Sequence, residues 1–331
     1  MLVKDTVCTD CADYGSSYVE GHPMSVWGSI RKARIQTHTS EAGLMCHRTL
    51  EEFFRSDYLL VRPLRSSSVH QLTTTLRVLD RWHGRHVRLE QLSAHLVNRF
   101  LRDHAVDHAP KTVSRRRGDL LTLWRFAAAM NLVDPPPKHI RQVTQPRRIP
   151  RAWTRDEMSR MLDAADRAQE YYRTGIRIGA FWTVFILLVY DTGLRLSDVL
   201  ALTLAEVQTG EFEVAQEKTG EAIICRVQEV TLAAIAKTVP PQREKLLPWP
   251  YCREYFWKHW KEHVLLPAGL PVGRKEGPQK LRRTSASHLE AVAPGAAMRH
   301  LGHRTPGLAQ QHYIDPRIAG SRPPLPPSLL G

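Results

Sequence analysis

The sequence lacks what a membrane, secreted or disulfide-stapled protein would need. Its longest uncharged apolar run, Ile178 to Tyr190, holds 13 residues, well short of the roughly 20 that span a bilayer. Only Lys4 precedes the acidic Asp5 and no long apolar stretch follows, so no signal peptide is expected and the cytoplasm is the expected compartment. The five cysteines are odd in number and scattered, which excludes a disulfide framework. Cys8 and Cys11 form one C-x-x-C, but no second close pair completes a zinc site, and reduced thiols are expected. A Walker-type phosphate loop, an H-E-x-x-H pair, a G-x-S-x-G elbow and a dinucleotide fingerprint are all missing. No cofactor and no metal are therefore expected.

Acidic residues are also in short supply: 33 stand against 47 Lys and Arg, a net charge of +14. Residues 1–45 carry −1 of that balance, so the surplus lies on the remainder of the chain and points to a polyanionic partner such as nucleic acid. A hydrophobic content of 42% is ordinary for a folded globular protein and excludes a mostly disordered chain.

Length and pattern suggest two domains flanked by variable ends. Residues 1–45 lack sustained periodicity and read as an extension. Val69, Leu72, Leu76, Leu79 and Trp82 recur at steps of three and four, the stripe of an amphipathic helix. The stretch Leu92 to Leu101 and the series Leu120, Leu123, Trp124, Ala127 and Met130 continue it, giving a helical domain over 46–132. A basic, proline-rich linker is expected over 133–152. From Lys138 to Arg155 the chain has six Lys or Arg and no acidic residue, a composition suited to a phosphate backbone. The second domain, 153–316, opens on the capping box Thr154 to Glu157 and contains an all-apolar helix from Ile176 to Tyr190. Strand-like runs Phe212 to Gln216 and Ala222 to Val227 flank Lys218-Thr219-Gly220 as a hairpin. Helical patterns return toward a proline-rich tail, 317–331. Tyr171, Tyr172, Tyr190, Tyr251 and Tyr255 are expected to serve packing.

The second domain strings together Thr192-Gly193-Leu194-Arg195-Leu196-Ser197-Asp198, Glu217-Lys218-Thr219-Gly220, Gln279-Lys280-Leu281-Arg282-Arg283-Thr284, Leu301-Gly302-His303 and Tyr313. In this order the segments resemble the tyrosine recombinase (phage integrase) family, over about 48–316. The resemblance implies a mainly α fold with a small β-hairpin: a SAM-like helical core-binding domain followed by the tyrosine-recombinase catalytic domain. It assigns the catalytic positions to Arg195, Lys218, Gln279, Arg282, His303 and the nucleophile Tyr313. Gln279 stands where the family usually has histidine; it can donate a hydrogen bond but exchanges no proton near neutral pH. It also makes Lys111, Arg115, Arg116 and Arg117, with Arg147, Arg148 and Arg151 of the linker, candidate DNA contacts.

The residue types suit that chemistry. A tyrosyl hydroxyl can attack a phosphodiester and conserve its energy in a covalent intermediate. Two guanidiniums match the non-bridging oxygens of the transition state, and a hairpin lysine can protonate the leaving 5′-oxygen. The resemblance implies double-stranded recombination sites as substrate, a 3′-phosphotyrosyl intermediate, four protomers exchanging strands through a Holliday junction and accessory DNA-bending proteins, with no membrane partner. Two alternatives share the fold: a DNA-binding protein that has lost catalysis, and a type IB topoisomerase that rejoins the same strand.

Overall fold

The computed structural model describes residues 48–320 apart from Arg147 and Arg304. The extension 1–45 with its Cys8–Cys11 pair, Arg147, and positions 321–331 of the tail lie outside the described residues. The described chain is mainly helical, with one two-stranded antiparallel sheet. It divides between positions 147 and 148 into two compact units, each with its own apolar core.

The described residues of the first unit form four longer helical stretches and one 3-10 turn, Leu89–Gln91. α1 (50–61) starts from a capping box in which Thr49 and Glu52 satisfy each other's backbone N–H groups. A π-helical turn, Phe54–Tyr58, interrupts it and turns both Phe54 and Tyr58 into the core, a detail periodicity alone does not announce. α2 (Ser66–His83) buries Leu72, Leu76 and Leu79 and stops at the left-handed Gly84. α3 (Ala94–Asp107) is capped by Ser93, and α4 (Pro110–Ala129) has proline in its first turn, where a missing N–H costs nothing. The core extends beyond α4. Ile140 is buried against it, the Arg141 N–H donates to Asn98 Oδ1 at 2.7 Å, and Arg117 Nε donates to the Arg141 carbonyl at 2.7 Å. The first part of the expected linker is thus packed on this unit.

Near the start of the second unit's 148–331 stretch, Ala152 and Trp153 are both buried. α5 (Arg155–Asp166) follows on the expected capping box at Thr154 and Glu157. α6 (Ile178–Thr192) is apolar on nearly every side. Phe181, Trp182 and Phe185 meet Trp249, Phe256 and Trp260 in a cluster of edge-on and tilted rings. At about 1.5–3 kcal/mol for each fully buried large side chain, this cluster anchors α6, whose last turn begins the candidate site. After α7 (Leu196–Ala201) and α8 (Leu204–Val207), β1 (Glu211–Ala215) pairs with β2 (Ala222–Arg226), with Phe212 opposite Cys225 and Val214 opposite Ile223. Then come α9 (Glu229–Thr238), α10 (Arg253–Trp260), α11 (Gln279–Val292), α12 (Ala296–His300) and α13 (Pro306–His312). Of the tyrosines expected to pack, Tyr172 is buried, but Tyr171 is 69% exposed. Its backbone bridges to Arg177 in a short turn, leaving the ring outside the core.

Candidate active site

α6 ends because Gly193 adopts φ +62°, a left-handed conformation that suits glycine. Space makes the same demand: a Cβ there would lie 2.6 Å from His300 Nε2. The carbonyl this turn exposes accepts a hydrogen bond from the Arg282 guanidinium. Gly302, also at φ +62°, repeats the arrangement, since a Cβ would meet Ile223 Cγ2 at 2.6 Å and Gln216 Nε2 at 2.9 Å. The glycines of the T-G-L-R and L-G-H segments therefore let three pieces of chain approach each other closely.

Arg282 is fully buried, one turn into α11. Its guanidinium donates to the Gly193 carbonyl and, at 2.7 Å, to the Leu301 carbonyl, while its Nε–H has no partner. Burial lowers its pKa to about 10; nearby Arg195 pushes the same way, and the Tyr313 phenol opposes them. Arg195 lies at the N-cap of α7, donates to Gln216 Oε1, and stands 3.9 Å from Asp198. Gln216, itself buried, donates from Nε2 to the Leu301 carbonyl at 3.1 Å. One chain of contacts thus runs from Arg195 through Gln216 and the Leu301 carbonyl to Arg282. The like charges of the two arginines repel, and Asp198 offsets part of that repulsion.

The other candidates divide into two groups. His303 is 8% exposed, its Nδ1 has no partner, and its ring centroid lies 4.8 Å from that of Tyr313. Arg282 in turn lies 5.5 Å from the Tyr313 ring. Arg195, Arg282, His303 and Tyr313 therefore converge, with unpartnered polar atoms on Arg282 and His303. Lys218 is instead exposed at the hairpin tip. The base of its hairpin is fastened where Asp198 Oδ1 accepts the Glu217 N–H at 3.2 Å and Gln216 contacts Arg195. Gln279 is exposed at the first position of α11, three residues before Arg282 and so on its side of the helix. Gln216 escaped the sequence reading because a polar residue beside a turn looks solvated. Its place at the end of β1, two before the hairpin lysine, was the available signal.

Burial first, then the positive Arg282, lowers the pKa of His303 and of His300 to about 4. Both imidazoles are neutral at pH 7, so each can donate or accept a hydrogen bond, and His303 Nδ1 has no partner in the fold. The folded pKa lies below the ordinary 6.5, so this contribution to stability is complete above pH 6.5 and is lost as pH falls toward 4. At pH 5 the loss should be about 1–2 kcal/mol per histidine. Thermal melts should show a lower midpoint at pH 5 than at pH 7, and His303→Gln should flatten the trend. An equal midpoint at both values would contradict it.

The proposed DNA contacts are unevenly placed. Lys111 and Arg115, one turn apart on α4, are exposed, as are Arg148 and Arg151. Arg116 faces the buried His104 ring, and Arg117 is engaged with the carbonyls of residues 140 and 141. The first unit also has a cleft of about 380 Å³ that sequence reasoning missed, lined by His95, Asn98, Arg99, Arg102, His139 and Arg141. Helical spacing puts the first four on one face of α3, and the fastened linker adds the last two. Arg102 shares this site with its neighbour Asp103 at 2.9 Å. Among the described residues no group of three His, Cys, Asp or Glu is placed to hold a metal, and no helix is long and apolar enough to cross a membrane.

No family model matches the chain. In sequence it is 27% identical over 199 residues to tyrosine recombinase XerD of Caulobacter vibrioides, covering 55% of this chain and 62% of that relative. The chain thus spans somewhat under two thirds of the curated relative it matches. Its fold is similar to a lambda integrase dimer bound to a COC′ core site (TM-score 0.65, 18% identity, 89% of this chain and 85% of that one). XerH recombinase bound to palindromic difH in a post-cleavage complex is also similar (0.60, 16%, 77% and 76%). So is the Tn1549 transposon integrase with a circular-intermediate DNA (0.57, 12%, 80% and 95%). The chain thus has a tyrosine recombinase, XerD, as a sequence relative and shares the fold of these DNA-bound integrases and recombinases.

Proposed function

We propose that the protein is a site-specific DNA recombinase that cuts and rejoins strands through a 3′-phosphotyrosyl intermediate. The carrying observation is the convergence of two arginines, a neutral histidine and a tyrosine around unpartnered buried polar atoms. Arg195 and Arg282 would grip the non-bridging oxygens of a scissile phosphate. His303 Nδ1 would hydrogen-bond that phosphate or take the phenol proton as the Tyr313 oxygen attacks phosphorus. The 5′-oxygen would leave with a proton from Lys218 at the exposed hairpin tip. Gln279 would add a neutral donor from the first turn of α11. Attack by a 5′-hydroxyl of a second duplex would reverse the step and release Tyr313. Like the lambda integrase tetramer bound to a Holliday junction, four copies of this chain would act on two duplexes.

The test is a pool of randomised duplexes carrying 5′-bridging phosphorothiolates, which trap the adduct, incubated with the full chain in excess EDTA. A protein–DNA complex that survives SDS supports the proposal. Reversible binding alone would leave a DNA-binding protein.

The exposed cations make a second expectation. Neutralising Arg99, Arg102 and Arg141 together should reduce the slope of log affinity against log salt by about 2–3, near 0.9 for each lost phosphate contact. Neutralising Arg116 and Arg117 should change it less, because their guanidiniums already serve the protein. Filter binding over a salt series measures both, and equal slopes for the two variants would remove the cleft from the interface.

A further inference from the structure

The segment that carries Tyr313 has little apolar surface to hold it. α13 has only seven residues, and Tyr313 is its C-cap, at φ −124° and ψ −33°. The core beneath is a small satellite of Ala286, Ala297, Leu301, Ala309 and Ile314. Polar ties must therefore set where the tyrosine stands.

Those ties meet at Asp315, two residues on, whose carboxylate is 2% exposed. Oδ2 accepts the Ala152 N–H at 3.0 Å and the Arg317 guanidinium at 2.5 Å; Oδ1 accepts the Arg317 N–H at 3.1 Å and its Nε–H at 2.8 Å. Ser287 of α11 adds two bonds, its hydroxyl donating to the Tyr313 carbonyl at 3.1 Å and accepting the Asp315 N–H at 2.8 Å. The far end of the clasp is equally firm. Trp153 N–H donates to Thr284 Oγ1 at 2.9 Å, and the Trp153 carbonyl is 3.1 Å from His288 Nε2. Burial alone would favour the protonated acid, but the Arg317 and Ala152 donors outweigh it and hold the Asp315 pKa below the usual carboxylate range. The carboxylate is charged throughout the neutral range.

We infer that Asp315 is the positioning residue of the nucleophile, clasping the Tyr313 segment to the chain that enters the catalytic unit so that Tyr313 stays beside Arg282 and His303 of its own subunit. This rests on Tyr313 being the nucleophile. The side-chain bonds of Asp315 go to Ala152 and Arg317 and not to Arg195 or Arg282, so its contribution is geometric, and a displacement near 1 Å at a reacting atom can cost about 100-fold in rate. The clasp also joins the tyrosine to Ala152, the last residue of the expected linker and part of the same unit. A change in how the linker enters the unit is thereby felt at the nucleophile.

The test uses the full chain with the phosphorothiolate duplex pool, measuring duplex affinity and the single-turnover rate of adduct formation at saturating DNA. Asp315→Ala should slow adduct formation about 10–100-fold with affinity within about twofold of the parent. Asp315→Asn keeps an oxygen for the Ala152 N–H and should recover part of the rate. Ser287→Ala removes two of the ties without changing charge and should slow the step in the same way, which keeps the test decisive if Asp315→Ala folds poorly. Parental rates in Asp315→Ala and Ser287→Ala, or affinity falling in step with rate in both, would overturn the inference. If Tyr313→Phe still forms adduct, the nucleophile assignment fails instead, whatever the Asp315 variants do.

Discussion

Tyr313→Phe should abolish the SDS-resistant complex while leaving duplex affinity unchanged within about twofold. The substitution removes one oxygen, the only atom that could bond to phosphorus, and keeps the ring that packs beside His303 and over Arg282. The backbone ties of the segment run through the Tyr313 carbonyl and N–H, which phenylalanine also has. Among the described residues, Tyr172 is buried in the aromatic cluster with its hydroxyl accepting from Trp182, and Tyr190 contacts His288. Gel analysis of trapped complexes, with fluorescence anisotropy for affinity, separates the two effects. A residual adduct would mean a different nucleophile.

How legible this was differs between elements. Helices with a strong stripe or cap were readable: α2 from its apolar positions, α5 from Thr154 and Glu157, α6 from its unbroken apolar face and the glycine after it. The motif residues could be located because each belongs to a short local segment. What joins the segments was not readable. The bond between Ala152 and Asp315 closes a loop of 163 residues, and no local pattern encodes such a pairing. On α11 the sequence singled out Arg282 but gave no reason for the buried Thr284, Ser285 and Ser287 around it. Thr284 holds Trp153, Ser285 holds the Tyr190 carbonyl, and Ser287 holds the Tyr313 segment. Small hydroxyl residues are needed where a helix must satisfy its neighbours' backbone groups at close range. Nor could the run from Lys111 to Arg117 show which cations were free, because that depends on where the chain returns after α4.

The Arg282 variants should show an effect that Arg195 variants do not. Arg282→Ala should slow adduct formation at least about 10²–10³-fold, the usual cost of losing one preorganised donor to a developing anion. It should also lower stability by about 1–3 kcal/mol, because the Gly193 carbonyl loses the Arg282 donor, while the Leu301 carbonyl keeps Gln216 Nε2. Arg195 is partly exposed and contacts the Gln216 side chain, so Arg195→Ala should give the same class of rate loss with a smaller change in melting temperature. Arg282→Lys keeps the charge but loses the fork that reaches two carbonyls at once, and should fall between parent and alanine in both measurements. A third readout tests the electrostatics. Arg282 helps burial hold the His303 pKa at about 4, so in Arg282→Ala the imidazole should titrate closer to 6.5, measurable by NMR of its ring protons. With that rise the remaining slow cleavage should lose rate below about pH 6, where His303 begins to protonate and can no longer accept the phenol proton. An Arg282→Ala protein with parental stability and an unmoved His303 would mean that this guanidinium neither braces the Gly193 and Leu301 turns nor sets the field in which the tyrosine reacts.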